Sequence, residues 1–147
     1  MEQLVTTAVN APAEQLWRLF IDVEHWSEIT PTIREIRRLD DGPFQVGSEA
    51  VVRQPRLPKA RWRVTAIEPG RSFTWENATP GVTVVAQHIV EPTGDDTAVI
   101  TLTLRTEGPL GGPVGALTSG MTKRAITTEM ESFRRVAEQG DGGRISN

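Results

Sequence analysis

RWRVTAIEPGRSFTWENATPGVTVVAQHIVEPTGDDTAVITLTLRT, residues 61–106, alternates β-prone runs with tight turn signals. Arg61–Glu68, Ser72–Asn77, Val82–Glu91 and Thr97–Thr106 are rich in Val, Ile, Thr, Phe and Trp, the residues that suit a pleated, half-buried surface. Pro69-Gly70, Thr79-Pro80-Gly81 and Thr93-Gly94-Asp95-Asp96 separate them. Connections this short leave no room for crossover helices, so the strands must pair as an antiparallel meander.

Working outward, Thr32–Leu39 and Gly47–Gln54 read as two earlier strands, closed by Asp40-Asp41-Gly42-Pro43 and by Pro55 and Pro58. Val5–Val9 is a short strand near the start. Asn10 then fits an N-cap and Pro12 the first helical turn, where its missing N–H costs nothing. Leu16, Leu19, Phe20 and Val23 recur at helical spacing beside Trp17, which predicts a helix over Pro12–Ile21 packed by that tryptophan. A second helical turn around His25–Glu28 must end before Pro31, and Asp22 is placed to cap it. Beyond the breaker Gly108-Pro109-Leu110-Gly111-Gly112-Pro113, a long helix is predicted from Pro113 or Val114 to Glu138. Its apolar positions fall in two stripes, Val114, Leu117, Met121, Ala125 and then Ile126, Met130, Phe133, Ala137, with the handover at Thr127-Thr128.

The expected architecture is α+β. A curved antiparallel sheet of about six to seven strands wraps a long C-terminal helix, with two short helices after the first strand. One domain over residues 1–138 is expected, and 139–147, without apolar periodicity, reads as a flexible C-terminal tail.

Composition narrows the function. The 147 residues are enough for one domain with its own core. There is no cysteine, which excludes disulfides, thiolate metal sites and a cysteine nucleophile. With only two histidines, His25 and His88, no metal site and no cofactor are expected. A net charge of −3 gives no general attraction to nucleic acid or anionic lipid, and no apolar run reaches the roughly 20 residues of a membrane span. The start, Met1-Glu2-Gln3-Leu4, does not resemble a secretory signal, so a cytoplasmic location is the default expectation. Gly-rich phosphate loops, nucleophile elbows and paired metal-binding histidines are missing from the sequence.

The local residues resemble a known superfamily. Asn10-Ala11-Pro12-Ala13-Glu14-Gln15-Leu16-Trp17, followed by Asp22-Val23-Glu24-His25-Trp26 and Pro31, is similar to the N-terminal signature of START/Bet v 1-like (SRPBCC) proteins. Trp62-Arg63-Val64 before Pro69-Gly70-Arg71-Ser72-Phe73-Thr74-Trp75-Glu76 resembles their central hairpin. His88 through Glu91-Pro92, with Gly94 and Thr97, resembles the next. The likeness runs from about Glu2 to Glu138 and is nearest the polyketide cyclase/dehydrase branch. It implies the helix-grip fold and an internal cavity, on a scaffold that serves cyclases, lipid carriers, receptors and co-chaperones alike.

Alternation then nominates the pocket. Ala98, Ile100, Leu102 and Leu104 share one face of the last strand, and Val82, Val84, Ala86, His88 and Val90 one face of its neighbour. His88 is therefore expected inward, either as a core histidine satisfied by one hydrogen bond or as the acid/base of a pocket. Trp62, Val64 and Ala66 share a face, as do Phe73 and Trp75, so Trp62 and Trp75 form an apolar wall or plain core. Trp26 is expected near the pocket mouth, as a lid or as packing. Met121 and Met130 offer adaptable lining or core filler, and Thr118, Thr122 and Thr128 are small enough to leave a void. The basic set Arg34, Arg37, Arg38, Arg53, Arg56, Lys59, Arg61 and Arg63 reads as a solvated outer face, with Arg53 the one expected to turn inward toward a ligand carboxylate. Glu76 should point away from the pocket.

The ligand-binding set expected from sequence is thus Trp26, Arg53, Trp62, Trp75, His88, Leu102, Met121 and Met130, with His88 the candidate catalytic residue. The function expected is binding of a small hydrophobic molecule (a lipid, polyketide or aromatic metabolite) as carrier or sensor. The alternative is a polyketide cyclase/dehydrase-type enzyme using His88. No nucleic acid and no membrane insertion are expected, and the chain is a monomer or a homodimer.

Overall fold

The computed structural model describes the backbone through Ser146 and side chains through Gln139; of the expected tail, the side chains beyond Gln139 and all of Asn147 lie outside the described residues. The elements are β1 (Glu2–Val9), α1 (Ala13–Ile21), a 3-10 segment (Val23–Glu28), β2 (Glu35–Arg38), β3 (Glu49–Arg53), β4 (Ala60–Glu68), β5 (Ser72–Thr79), β6 (Val82–Gly94), β7 (Thr97–Glu107) and α2 (Gly111–Ser146). The seven strands form one antiparallel curved sheet in the order β1-β7-β6-β5-β4-β3-β2. This is the helix-grip fold. Consecutive strands pair along the meander, and β1 returns to the free edge of β7 with Val5 opposite Leu102.

Local chemistry departs from expectation at several points. Pro12, not Asn10, holds the N-cap of α1, with its carbonyl accepting from the N–H groups of Gln15 and Leu16 at 3.1 and 3.3 Å. The Asn10 backbone N–H instead donates to Glu138 at 2.8 Å, tying the end of β1 to α2. Asp22 sits at the head of the 3-10 segment without capping it, because its carboxylate is engaged by the His25 ring at 2.8 Å. A bulge between Val64 and Ala66 shifts the register of β4. Ala66 therefore leaves the inner face, and Ile67 packs against the core in its place. Gly108, at φ +97°, makes the corner from β7 into α2, where a Cβ would lie 2.7 Å from the Gly81 carbonyl oxygen.

The core lies between the concave face and α1 with the stretch 126–137 of α2. Leu16, Phe20, Val64, Phe73, Ile100, Met130 and Phe133 have no exposed surface. Gln15 Nε2 donates to the Ala137 carbonyl at 2.9 Å inside this core and locks α1 to α2. The two predicted stripes of α2 do not behave alike. Ile126, Met130, Phe133 and Ala137 are buried, whereas Leu117 is 89% exposed and Val114 and Met121 are about two-fifths exposed. The face that α2 turns to the sheet runs instead through Val114, Thr118, Met121, Thr122, Ala125, Ile126 and Glu129, so Thr118 stands where the pattern had placed Leu117. No helix among the described residues is long and apolar enough to cross a membrane.

Asp40 organises the β2–β3 turn. Its carboxylate accepts from the Glu49 backbone N–H at 2.9 Å, from Ser48 Oγ at 3.1 Å and from the Arg38 guanidinium at 2.9 Å. The Glu49 N–H first, then Arg38 and Ser48, hold its carboxyl below the ordinary carboxylate value. A folded value below the unfolded one stabilises the protein above the unfolded pKa, about 4, and the contribution is lost as pH falls through the folded value. Asp40→Asn is expected to reduce stability at pH 7 by about 1 kcal/mol, limited because over a third of the side chain is open to solvent. Urea unfolding at pH 7 and pH 3 checks this; an undiminished gap at pH 3 contradicts it. Arg38, bonded also to the Gly42 and Pro43 carbonyls and lying 5.7 Å from the Phe44 ring centroid, is a structural residue of this turn rather than part of a solvated face.

Candidate functional site

A cavity of about 310 Å³ opens between the first half of α2 and the concave face of β3–β7. Its walls follow from the alternation of the strands. Val52 and Ala60 come from the inner faces of β3 and β4, Trp62 and Trp75 from β4 and β5, Val84, Ala86 and His88 from β6, and Leu102 and Leu104 from β7. Leu57, Val114 and Met121 both line the cavity and are about two-fifths exposed, which places its mouth between the β3–β4 loop and the start of α2. Gln54, Asn77, Thr106, Thr118 and Thr122 supply the neutral polar atoms.

At the inner end, His88 Nε2 lies 3.0 Å from Glu129 Oε2, and both residues are buried. A carboxylate only accepts, so Nε2 carries the shared proton when Glu129 is ionised. Nδ1 is buried with no hydrogen-bond partner among the described residues. The imidazole is held on several sides: stacked on Phe73 at 4.7 Å and 7°, and packed against Trp26 at 5.1 Å and Phe20 at 5.3 Å. The histidine side chain is 2% exposed and the glutamate side chain 10% exposed. Both residues line the cavity, and the glutamate keeps the larger share of exposed side chain.

The structure brings Trp26, Trp62, Trp75, His88, Leu102 and Met121 to this cavity and leaves two expected residues out of it. Arg53 ends β3 on the exposed face, because Ala50 and Val52 take its two inward positions and alternation sends Arg53 outward. Met130 is fully buried core beneath the cavity floor, one residue past Glu129 on the helix. Trp26 is also displaced from its expected place. It is a buried floor residue rather than a lid, with Nε1 donating to the Leu19 carbonyl at 3.1 Å and its ring 5.4 Å from Trp75 and 5.5 Å from Phe133. Thr128 does not reach the cavity: it is exposed and absent from the lining. Glu76 and Arg63 lie on the convex face, as alternation predicts.

Glu129 was not singled out from the sequence. The signal was there: with Ile126, Met130 and Phe133 it completes an i, i+3, i+4, i+7 set, so a carboxylate occupies a buried-face position.

The chain matches, over residues 2–138, the family described as "Polyketide cyclase / dehydrase and lipid transport". It belongs to that family. No curated protein sequence matches it. Among solved structures, the Zhui aromatase/cyclase from Streptomyces sp. R1128 superposes with a TM-score of 0.80 at 16% identity, covering 95% of this chain and 94% of that one. A START superfamily protein from Mycobacterium smegmatis gives 0.72 at 16% identity over 91% and 97%. The di-domain ARO/CYC BexL from the BE-7585A biosynthetic pathway gives 0.74 at 20% identity; 92% of this chain is covered but only 45% of BexL. At these identities the likeness establishes the fold. What a member of the polyketide cyclase/dehydrase and lipid transport family does depends on its cavity, and here that cavity is apolar with one buried His–Glu pair.

Proposed function

We propose that this protein holds a small, largely apolar molecule in its internal cavity, as a carrier or sensor. The observation that carries the reading is the lining: tryptophan and aliphatic side chains with His88 and Glu129 as the only ionisable groups among the described residues. Burying apolar ligand surface against such walls contributes roughly 25 cal/mol per Å² before the costs of association. A volume near 310 Å³ is at the small end of ligand pockets, which span about 300–1,000 Å³. It suits a compact ring system or a short chain better than a two-tailed lipid.

Solvent extraction of the protein purified from cells, followed by mass spectrometry, is expected to release a small apolar compound in stoichiometric amount. Thr122→Trp, which fills the cavity from α2, is expected to release none and to weaken binding of an apolar probe such as indane by at least about tenfold. A Thr122→Trp protein that folds and binds indane as the wild type does would place the ligand elsewhere and sink the reading.

A second reading, catalysis of the cyclase/dehydrase kind, is favoured by the buried 3.0 Å His88–Glu129 contact at the inner end of the cavity. In it Glu129 takes the acid/base part expected of His88, and His88 acts as a positioning residue, because the imidazole is closed off by Phe73, Trp26 and Phe20. Turnover of the extracted compound that survives unaltered in Glu129→Gln would refute this second reading and leave the first intact.

A further inference from the structure

We infer that the cavity selects ligands that present a hydrogen-bond donor, a hydroxyl or an amine, to Glu129, and that it discriminates against carboxylates. The inference rests on the binding reading above and specifies the class of molecule bound.

Among the described residues, no lysine or arginine lines the cavity. Arg53, the residue that could have met an anionic head, ends β3 on the exposed face. An incoming carboxylate would therefore be stripped of water and set beside a second carboxylate without a countercharge, which is costly in a low-dielectric site. A donor finds the opposite situation. A carboxylate offers about four acceptor positions, and the one side-chain hydrogen bond Glu129 makes among the described residues is through Oε2 to His88. The remaining capacity faces a wall that otherwise carries only neutral amides and threonines.

His88 sets the direction of this acceptor. Its ring is stacked on Phe73 and packed against Trp26 and Phe20, which hold it in place. The Nε2–H that holds Glu129 Oε2 is therefore a fixed point, and the carboxylate is oriented before the ligand arrives. Trp26, Trp62 and Trp75 border the same space. Their faces accept a flat hydrocarbon and also attract a protonated amine.

Calorimetric titration of the intact protein at pH 7.5 with indane, 2-indanol, 2-aminoindane and indane-2-carboxylate tests the inference with one ring system and four head groups. The alcohol and the amine are expected to bind roughly ten- to a hundredfold more tightly than the carboxylate, the worth of one charge-assisted hydrogen bond. In Glu129→Leu the preference is expected to collapse, so that alcohol, amine and carboxylate bind within a few-fold of one another. Wild-type protein that binds the carboxylate as tightly as the alcohol overturns the inference, and so does a preference that survives Glu129→Leu. If Glu129→Leu does not fold, the wild-type ranking alone still decides, and Glu129→Gln, whose amide can donate to a carboxylate, is expected to lose most of the preference for the amine over the carboxylate. Failure of indane itself to bind the wild type would instead defeat the binding reading, whereas indane binding without head-group preference defeats only this inference.

Discussion

Phe133→Ala is expected to lower the stability of the folded protein by about 3–5 kcal/mol, the largest effect of any single truncation considered. Phe133 has no exposed surface. Its ring meets Phe20 edge-on at 5.0 Å and Trp26 at 5.5 Å, so it joins α1, the 3-10 segment and α2 in one contact. Removing it leaves a void bordered by rigid rings that cannot collapse into the space. The corresponding fall in melting temperature is roughly 10–15 °C for a domain of this size. Phe133→Leu, which keeps most of the volume, should cost far less. Thermal and urea unfolding measure both, and a Phe133→Ala loss below about 1 kcal/mol would mean that α2 is not packed on α1 here.

The second large effect concerns the buried pair. His88→Leu takes from Glu129 the one side-chain hydrogen bond it makes among the described residues, and a buried carboxylate without a partner is expensive. A loss of about 3 kcal/mol is expected. Glu129→Leu leaves only a neutral imidazole unpaired and should cost about 1–2 kcal/mol. The double variant His88→Leu/Glu129→Leu should be more stable than the sum of the two losses implies, by at least about 1 kcal/mol. Strict additivity would show that the two side chains do not interact. The cycle is independent of any ligand, so it probes the geometry of the site separately from what the site binds.

The meander could be read from 61–106 because turn residues with a fixed backbone meaning punctuate it: Pro69-Gly70 and Pro80-Gly81 both fall between paired strands. Period-two alternation then placed Ala86, His88, Leu102 and Leu104 on the inner face, since a strand in a sheet has only two faces. The same rule failed where the backbone broke the period. The bulge at Val64/Ala66 turned Ala66 outward, and no residue type at that point announces it. Arg53 was placed inward because the register of β3 depends on its partners. Pairing of Val52 with Ile36 on one side and Ala60 on the other settles it.

Helical periodicity carried less information about the cavity. A hydrophobic stripe marks the side of a helix that leaves water, but a helix over a void and a helix over a packed core present the same pattern. That is why Leu117 was assigned to the buried face and Thr118 was only a candidate, although Thr118 lines the cavity and Leu117 points to solvent.

Local pattern and turn chemistry were enough to establish a helix-grip domain with His88 facing inward. These are properties of neighbours along the chain, and so the residues themselves carry them. The pairing of His88 with Glu129 joins residues 41 apart in sequence, and neither position's own periodicity names the other. Which of the two meets a ligand depended on packing still more remote. Phe73, Trp26 and Phe20, from three different elements, close around the imidazole and leave the glutamate as the more exposed side chain of the pair.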